Sequence, residues 1–475
     1  MISKNHCVTY PEYNLLIDQT IKKLQQCNLT RGDKLAIISE NCIEYPILLM
    51  ALFNIGVIAV PVSPRFPSQQ IEDLLRKIQC NTIHGATNQE KTDHGAHFLG
   101  NSEWNIVSID KSISYENKNC TKRMPDCISF LQHMSNEMQD QEATIIFTSG
   151  SAGEPKAVVH TLGNHYFSAL GSNINIPFTC EDRWLLSLPL YHVGGLAILM
   201  RALLGKGTVV IPDDTISLIE NIEKFDITHL SLVSTQLYRL LQHEKNIKSL
   251  RRLKALLLGG SAISPALIRK ANKNNLPIHT SYGSTEMSSQ ITTTQPGEEK
   301  QCLYTSGKLL EHRELKITED GEILVKGRTL CKGYIEGTTI HPNRDEKGWF
   351  HTGDLGRLDT NGYLIVTGRK DNLFISGGEN IQPEEIERQL CTIEGIVQAV
   401  VVPIEHAEFG QRPVAFIKTL NNRSIKEDHI RKKLAGKIAR FKIPDYFFPY
   451  PPSLPQETIK PSRSFFQDLA REKGF

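Results

Sequence analysis

Apolar positions along the chain fall into short continuous runs separated by amphipathic stretches. Residues 13–27 carry them at helical spacing, and residues 33–38 then read as a strand. Residues 44–54 predict a helix, with residues 57–60 a buried strand after Gly56. Residues 64–77 open with prolines and continue helically, and residues 82–85 are weakly strand-like, whereas residues 88–141 are polar and weakly periodic. Residues 143–147 form a buried strand, helix signal resumes at Leu162, and residues 183–188 are a strand candidate ahead of an apolar helix reaching about Leu204. Further strands are expected at 208–211, 230–233, 253–258 and 278–281. Strands alternating with helices predict an α/β fold, a largely parallel sheet covered on both faces. After Cys302 the strands become shorter and Gly-rich, at 315–317, 322–325 and 362–366, which suits a small β subdomain. A break near Gly368 divides a large N-terminal domain, residues 1–367, from a smaller α+β domain, residues 368–475.

Composition narrows the classes. At 475 residues the chain exceeds one ordinary core, so two or more domains are expected. A net charge of +2 argues against nucleic-acid binding by bulk electrostatics, and clusters such as Arg251-Arg252 read as solvated faces. The ten cysteines include no Cys-x-x-Cys pair and no zinc spacing, as expected of thiols in a reducing compartment. The N-terminus lacks the apolar core of a signal peptide. Residues 46–62 are the most apolar, but Asn54, Gly56 and Pro61 interrupt them, so a buried helix and a strand fit better than a membrane span. A cytoplasmic protein without membrane insertion is expected.

The candidate chemistry begins at residues 148–156, Thr-Ser-Gly-Ser-Ala-Gly-Glu-Pro-Lys, directly after a buried strand. Small residues let backbone N–H groups approach phosphate oxygens, hydroxyls add donors, and Lys156 adds a point charge. It is not a Walker A loop, because Pro155 separates Gly153 from Lys156. Later strands stop at Gly259-Gly260-Ser261 and at Tyr282-Gly283-Ser284-Thr285-Glu286, which places hydroxyls and glycines in one crevice at the carboxyl ends of a sheet.

Five signatures in order carry a family resemblance: residues 148–156, residues 282–286, Trp349-Phe350-His351-Thr352-Gly353-Asp354, residues 368–383, and Ile459-Lys460-Pro461-Ser462-Arg463. Together they resemble the adenylate-forming superfamily of acyl- and aryl-CoA ligases, peptide-synthetase adenylation domains and firefly luciferases, over nearly the whole chain. The resemblance implies that a carboxylate attacks the α-phosphate of Mg-ATP, and that coenzyme A then displaces AMP from the acyl-adenylate. It implies that Thr148, Ser149, Ser151 and Lys156, with Gly150 and Gly153, hold the β- and γ-phosphates. Glu286 would hold Mg²⁺, and Thr285 the α-phosphate. Tyr282 would stack on adenine, with Gly283 and Ser284 beside it and Gly259, Gly260 and Ser261 along the nucleotide's far side. Asp354 would accept hydrogen bonds from the ribose hydroxyls, a task suited to a carboxylate. Arg369 would reach ribose or phosphate, Asp371 is the hinge about which a mobile C-terminal domain turns, and Gly377 and Gly378 would line the pantetheine path. Lys460 would be the adenylation lysine. The family commonly has Gly before this Lys; here it is Ile459, although the Lys-x-x-Arg spacing is kept.

Residues 189–201 bear on the acid. His192 and Ser281 would face it, or His192 is a core histidine. Arg201 closes an otherwise apolar helix, where a cation is costly unless paired. It meets either a second substrate carboxylate or a local acid. This segment, the short N-terminal domain and the C-terminal signature most resemble the branch that thioesterifies 2-succinylbenzoate in menaquinone biosynthesis. The implied partners are a small carboxylic acid, ATP and CoA, with a homo-oligomer compatible. Two alternatives stand beside this reading: another aryl- or medium-chain acyl-CoA ligase, and a non-catalytic nucleotide-binding sensor.

Overall fold

Neighbouring residues of one strand feed different cores. In Lys34–Ile38, Leu35 and Ile37 pack with the helices Tyr10–Gln26 and Glu44–Ile55, while Ala36 joins Ile71, Leu74 and Leu75 of Ser68–Lys77. Strand side chains alternate, so both faces of this sheet are buried. The computed structural model describes residues 1–473 apart from 5, 86–103, 108–133, 149–154, 261–262, 420–425 and 452–462.

The first sheet has eight strands in the order Thr339–His341, Gly333–Glu336, Lys156–Thr161, Glu142–Thr148, Ile58–Val62, Lys34–Ile38, Thr82–Gly85 and Asn105–Val107. The last five are parallel and the first three antiparallel. The second sheet has seven strands, Lys308–Leu309, Ser289–Thr293, Ile278–Ser284, Ala255–Leu258, His229–Leu232, Arg183–Leu185 and Thr208–Val210, with the last five again parallel.

Four helices, Tyr10–Gln26, Glu44–Ile55, Leu162–Asn175 and Val193–Gly205, share one core with residues of both sheets, Ile146 and Leu257 among them. They form a layer between the sheets. Contact on two sides explains why Glu44–Ile55 and Val193–Gly205 are apolar nearly all round. Ser68–Lys77 covers the outer face of the first sheet, and Pro265–Lys273 is among the helices covering the second.

The expected β subdomain is a four-stranded antiparallel sheet, Arg313–Ile317, Glu322–Gly327, Phe350–Leu358 and Leu364–Arg369. In the C-terminal segment Ile396–His406 pairs with Gly410–Thr419 and Phe374–Ser376 with Glu379–Ile381. Pro383–Leu390 and Glu427–Leu434 pack in one core of this sheet and Arg463–Glu472 in another.

Three departures from the sequence reading shape the site. Lys156–Thr161 is a strand, paired antiparallel with Glu142–Thr148 so that Thr148 lies opposite Lys156. The 183–188 candidate stops at Leu185, because the chain turns there to be held by Asn41. That side chain donates to the carbonyls of Leu186 (3.2 Å) and Leu188 (2.9 Å) and accepts from the Leu190 N–H (2.9 Å). Ile278–Ser284 runs three residues further than expected, paired with Ser289–Thr293. Gly283 permits this pairing, since a Cβ there would lie 1.9 Å from the Ser289 carbonyl oxygen. Among the described residues no helix is long and apolar enough to cross a membrane.

Burial holds four histidines of this core, His160, His165, His229 and His279, below the usual imidazole range, His160 and His229 at about 4. A depressed histidine pKa stabilises the fold above the unfolded value of 6.5, and the contribution is lost as pH falls from there toward 4. The urea unfolding midpoint is therefore expected to drop steadily between pH 7 and pH 5; a flat midpoint over that window would contradict neutral buried imidazoles.

Candidate active site

The predicted residues gather where parallel strands end. Thr148 closes Glu142–Thr148, and Gly259 and Gly260 follow Ala255–Leu258. Ser281, Tyr282, Gly283 and Ser284 are the last residues of Ile278–Ser284, with Thr285 and Glu286 in the turn beyond. Ser281 Oγ donates to the Leu258 carbonyl at 2.9 Å, and a Cβ on Gly259 would lie only 2.8 Å from that hydroxyl. Two adjacent strand ends are thus joined by a contact that leaves room for glycine. Ser149, Gly150, Ser151, Gly153, Ser261 and Lys460 lie outside the described residues.

Glu286 and Lys156 meet through a residue the sequence reading missed. The Tyr334 hydroxyl donates to Glu286 Oε1 at 2.9 Å, and Lys156 Nζ sits 4.9 Å from the centre of the Tyr334 ring. Tyr334 pairs with Val158 across the sheet, which sets it beside Lys156. Burial and then the Glu286 charge push its hydroxyl well above the usual phenol value, so it remains a donor. The turn is also held through its backbone: the Cys331 N–H donates to the Glu286 carbonyl (2.8 Å), and His160 Nε2 bonds the Thr285 carbonyl (2.7 Å). Among the described residues no three side chains cluster as metal ligands. A single carboxylate completed by phosphate oxygens and water suits Mg²⁺, which keeps much of its hydration.

Tyr282, Asp354 and Arg369 form one network. The Tyr282 hydroxyl donates to Asp354 Oδ2 (2.7 Å), and Arg369 Nη1 donates to Oδ1 (2.9 Å). Each carboxylate oxygen has two lone pairs, so Asp354 retains acceptor capacity for ribose hydroxyls. Ser284 Oγ is buried without a hydrogen-bond partner, the kind of orphaned donor a nucleotide oxygen would satisfy.

On the acid side, His192 caps the helix Val193–Gly205, its ring 4.9 Å from that of Tyr191. Burial, then the Arg65 charge, hold it below the usual imidazole range, so it is neutral at pH 7. Arg201 is 1 % exposed, and among the described residues it forms no ion pair with the local acid considered for it. Its Nη2 donates to Gln290 Oε1 (2.6 Å) and lies 3.5 Å from Ser289 Oγ, its guanidinium faces Trp184 at 5.3 Å, and its Nε has no partner. Gln290 and Ser289 lie opposite Gly283 and Ser284, which places the guanidinium one strand from the Tyr282–Glu286 segment.

Asp371 follows the last strand of the β subdomain and is 3.4 Å from Arg369 Nη2. Gly377 and Gly378, at φ +57° and +85°, form the turn between Phe374–Ser376 and Glu379–Ile381. They stand apart from the nucleotide residues in sequence and in sheet. Arg463, last of the fifth signature, donates to Glu387 Oε1 (2.7 Å) and Glu384 Oε1 (2.9 Å).

Comparison with known proteins agrees with this arrangement. Residues 1–335 match the AMP-binding enzyme family, and residues 385–459 match the AMP-binding enzyme C-terminal domain. The 2-succinylbenzoate–CoA ligase of Oceanobacillus iheyensis is 33 % identical over 92 % of this chain and 89 % of its own; that of Bacillus subtilis is 30 % identical over 94 % and 90 %. Among solved structures, E. coli MenE with bound OSB-AMS superposes with a TM-score of 0.79 at 27 % identity, covering 99 % of this chain and 95 % of that one. Bacillus subtilis o-succinylbenzoate coenzyme A synthetase (MenE), in complex with ATP and magnesium ion, gives 0.78 at 29 %, covering 94 % and 92 %. ATP-bound MatB from Rhodopseudomonas palustris, at 21 % identity, 0.85 and coverage of 99 % and 95 %, shares the fold. With its fold and both regions of sequence matched, the chain belongs to the AMP-binding enzyme family.

Proposed function

We propose that the protein is an ATP-dependent carboxylate–CoA ligase that converts 2-succinylbenzoate, ATP and CoA to 2-succinylbenzoyl-CoA, AMP and pyrophosphate, a step of menaquinone biosynthesis. One observation carries the choice of acid: a buried guanidinium, Arg201, with no acid paired to it among the described residues, one strand away from Ile278–Ser284 and the turn that carries Glu286. A cation there matches an acid that has a second carboxylate left over after the first is activated. Names of relatives acting on 2-succinylbenzoate support the same reading.

In the first half-reaction a carboxylate oxygen of the acid attacks the α-phosphorus of ATP and pyrophosphate leaves. In the second, the CoA thiol gives up its proton to solvent as its sulfur attacks the acyl carbon, the carbon–oxygen bond of the acyl–phosphate anhydride breaks, and AMP departs with that oxygen. No protein nucleophile is needed; alignment and charge neutralisation are. Lys156, with Thr148 and the residues 149–153 that follow it, holds the outer phosphates. Thr285 and Ser284 face the α-phosphate, and Glu286, oriented by Tyr334, holds Mg²⁺. That ion, when bound, neutralises phosphate charge. Asp354 accepts from the ribose hydroxyls while Tyr282 and Arg369 fix its carboxylate, and Tyr282 lies against the base with Gly259, Gly260 and Ser261 beyond. His192, a neutral imidazole, gates the acid's entry alongside Ser281.

Lys460 bridges the acid's carboxylate and ATP oxygens. Residues 368–475 form a domain that turns about Asp371, removing Lys460 and bringing Gly377 and Gly378 to the pantetheine path.

Mass spectrometry of a reaction with ATP, CoA and 2-succinylbenzoate is expected to show the CoA thioester and AMP. A product formed only from simple aryl or medium-chain acids, or AMP binding with no adenylate from any acid, would replace the reading. Lys460→Ala should abolish ATP–pyrophosphate exchange while thioesterification of supplied acyl-adenylate continues; equal loss of both half-reactions would remove that role from Lys460. Arg201→Met should lower kcat/KM for 2-succinylbenzoate by about 10- to 150-fold, the range for one charged hydrogen-bond partner. Benzoate, lacking a second carboxylate, should lose far less, and parallel losses would count against the pairing.

A further inference from the structure

Arg201 and Arg313 are two guanidiniums buried near one another, and both bind Gln290. Their situations differ. Arg313 has every nitrogen engaged by neutral acceptors: Nε donates to the Gln290 carbonyl (2.7 Å), Nη1 to the Glu311 carbonyl (2.6 Å), and Nη2 to the carbonyl and hydroxyl of Ser168 (3.1 and 3.3 Å). Arg201 has Nη2 engaged and Nε buried without a partner. Neither guanidinium has a counter-ion among the described residues, but hydrogen-bonding capacity is left over at the buried Nε of Arg201, whereas every guanidinium nitrogen of Arg313 is engaged.

Gln290 is held so that its oxygen faces Arg201. Thr293 Oγ1 donates its proton to the Thr292 carbonyl (2.7 Å) and so accepts from Gln290 Nε2 (2.6 Å), while Ser172 Oγ donates to Gln290 Oε1 (2.7 Å). These partners assign the amide's orientation, and its oxygen serves as acceptor for both Ser172 and Arg201. The backbone before it is bent for the purpose: Ser288 and Ser289 take φ values of +55° and +113°, a region a serine adopts at a cost.

We infer that Gln290 is the specificity-determining positioning residue of the acid site: its neutral carboxamide aims the Arg201 guanidinium without cancelling its charge, which stays available for the second carboxylate of the acid. This inference rests on the proposed substrate. A glutamate of the same length would hold Arg201 equally well in space. It would also supply inside the protein the negative charge that the substrate brings.

The test compares 2-succinylbenzoate with 4-oxo-4-phenylbutanoate, the same acid without its ring carboxylate, and reads the ratio of their kcat/KM values. In Gln290→Glu the ratio is expected to fall about tenfold or more, mainly through a higher KM for 2-succinylbenzoate, the size of one charge-assisted contact. In Gln290→Met, which removes the aim without adding charge, it should fall by about threefold or more. In an Arg201→Met background Gln290→Glu should change the ratio by less than about twofold, because the residue acts through Arg201. A ratio lowered by Arg201→Met yet unmoved by Gln290→Glu overturns the role of Gln290 and leaves the substrate standing. An equal effect of Gln290→Glu with and without Arg201 also overturns it. A wild-type enzyme with no preference for 2-succinylbenzoate removes the substrate reading and this inference with it. Should Gln290→Glu not fold, Gln290→Met decides alone: an unchanged ratio refutes the inference.

Discussion

Two sheets share one layer of helices, and that constraint decides where chemistry can occur. Leu35 and Ala36, adjacent in one strand, are both buried, in different cores, so neither face of the first sheet is open. The second sheet is closed in the same way by Leu257 on one face and Leu256 on the other. Backbone groups inside such sheets are already paired. What remains is the strand end, where the ladder stops and N–H groups and short side chains turn outward. Thr148, Gly259, Tyr282 and Glu286 all come from strand ends, far apart in sequence and brought together by the layering alone.

At these ends the charged groups are held by partners that leave something unused. Tyr282 and Arg369 each take one oxygen of Asp354, which fixes the carboxylate while sparing lone pairs. Tyr334 does the same for one oxygen of Glu286, and its ring supports the Lys156 ammonium. Arg201 is the extreme case. A fully desolvated cation without a counter-ion is unfavourable, and burial alone draws its pKa down to about 9. Such a group persists when the surrounding structure over-determines it, as Trp184 and Gln290 do here.

The parts legible in the sequence were those written locally. Hydrophobic runs marked the parallel strands, and glycines and hydroxyls directly after them marked the strand ends, because a turn at a strand end constrains a few consecutive residues. Lys156–Thr161 was missed because its function-like loop drew the reading toward phosphate binding and away from the β-branched run Val158-Val159. Tyr334 and Gln290 were missed for a different reason. Tyr334 reaches Glu286 from 48 residues away and Gln290 reaches Arg201 from 89, and no local pattern records a partner at such a distance. The local acid considered for Arg201 was the ordinary expectation for a buried cation; a carboxamide took its place, in a contact between a helix and a strand that only the tertiary packing reveals.

The same logic bears on the C-terminal segment. Arg463 binds both carboxylate oxygens of Glu387 and one of Glu384 on the helix Pro383–Leu390, so the helix Arg463–Glu472 is tied to it. Lys460 precedes Arg463 by three residues, a tether of roughly 10 Å at full extension. The clamp fixes Arg463 to the helix Pro383–Leu390. That helix is in turn bound to the last strand of the β subdomain by exposed or half-buried polar contacts: Arg388 to the carbonyls of Val366 (3.3 Å) and Thr367 (3.1 Å), and Gln382 to that of Arg369 (2.9 Å). Contacts of this kind exchange with water at little net cost, unlike the apolar packing within either core. Among the described residues these are weak bonds for the proposed rotation about Asp371 to break, and the clamp at Arg463 would keep the helix Arg463–Glu472 in step with Pro383–Leu390.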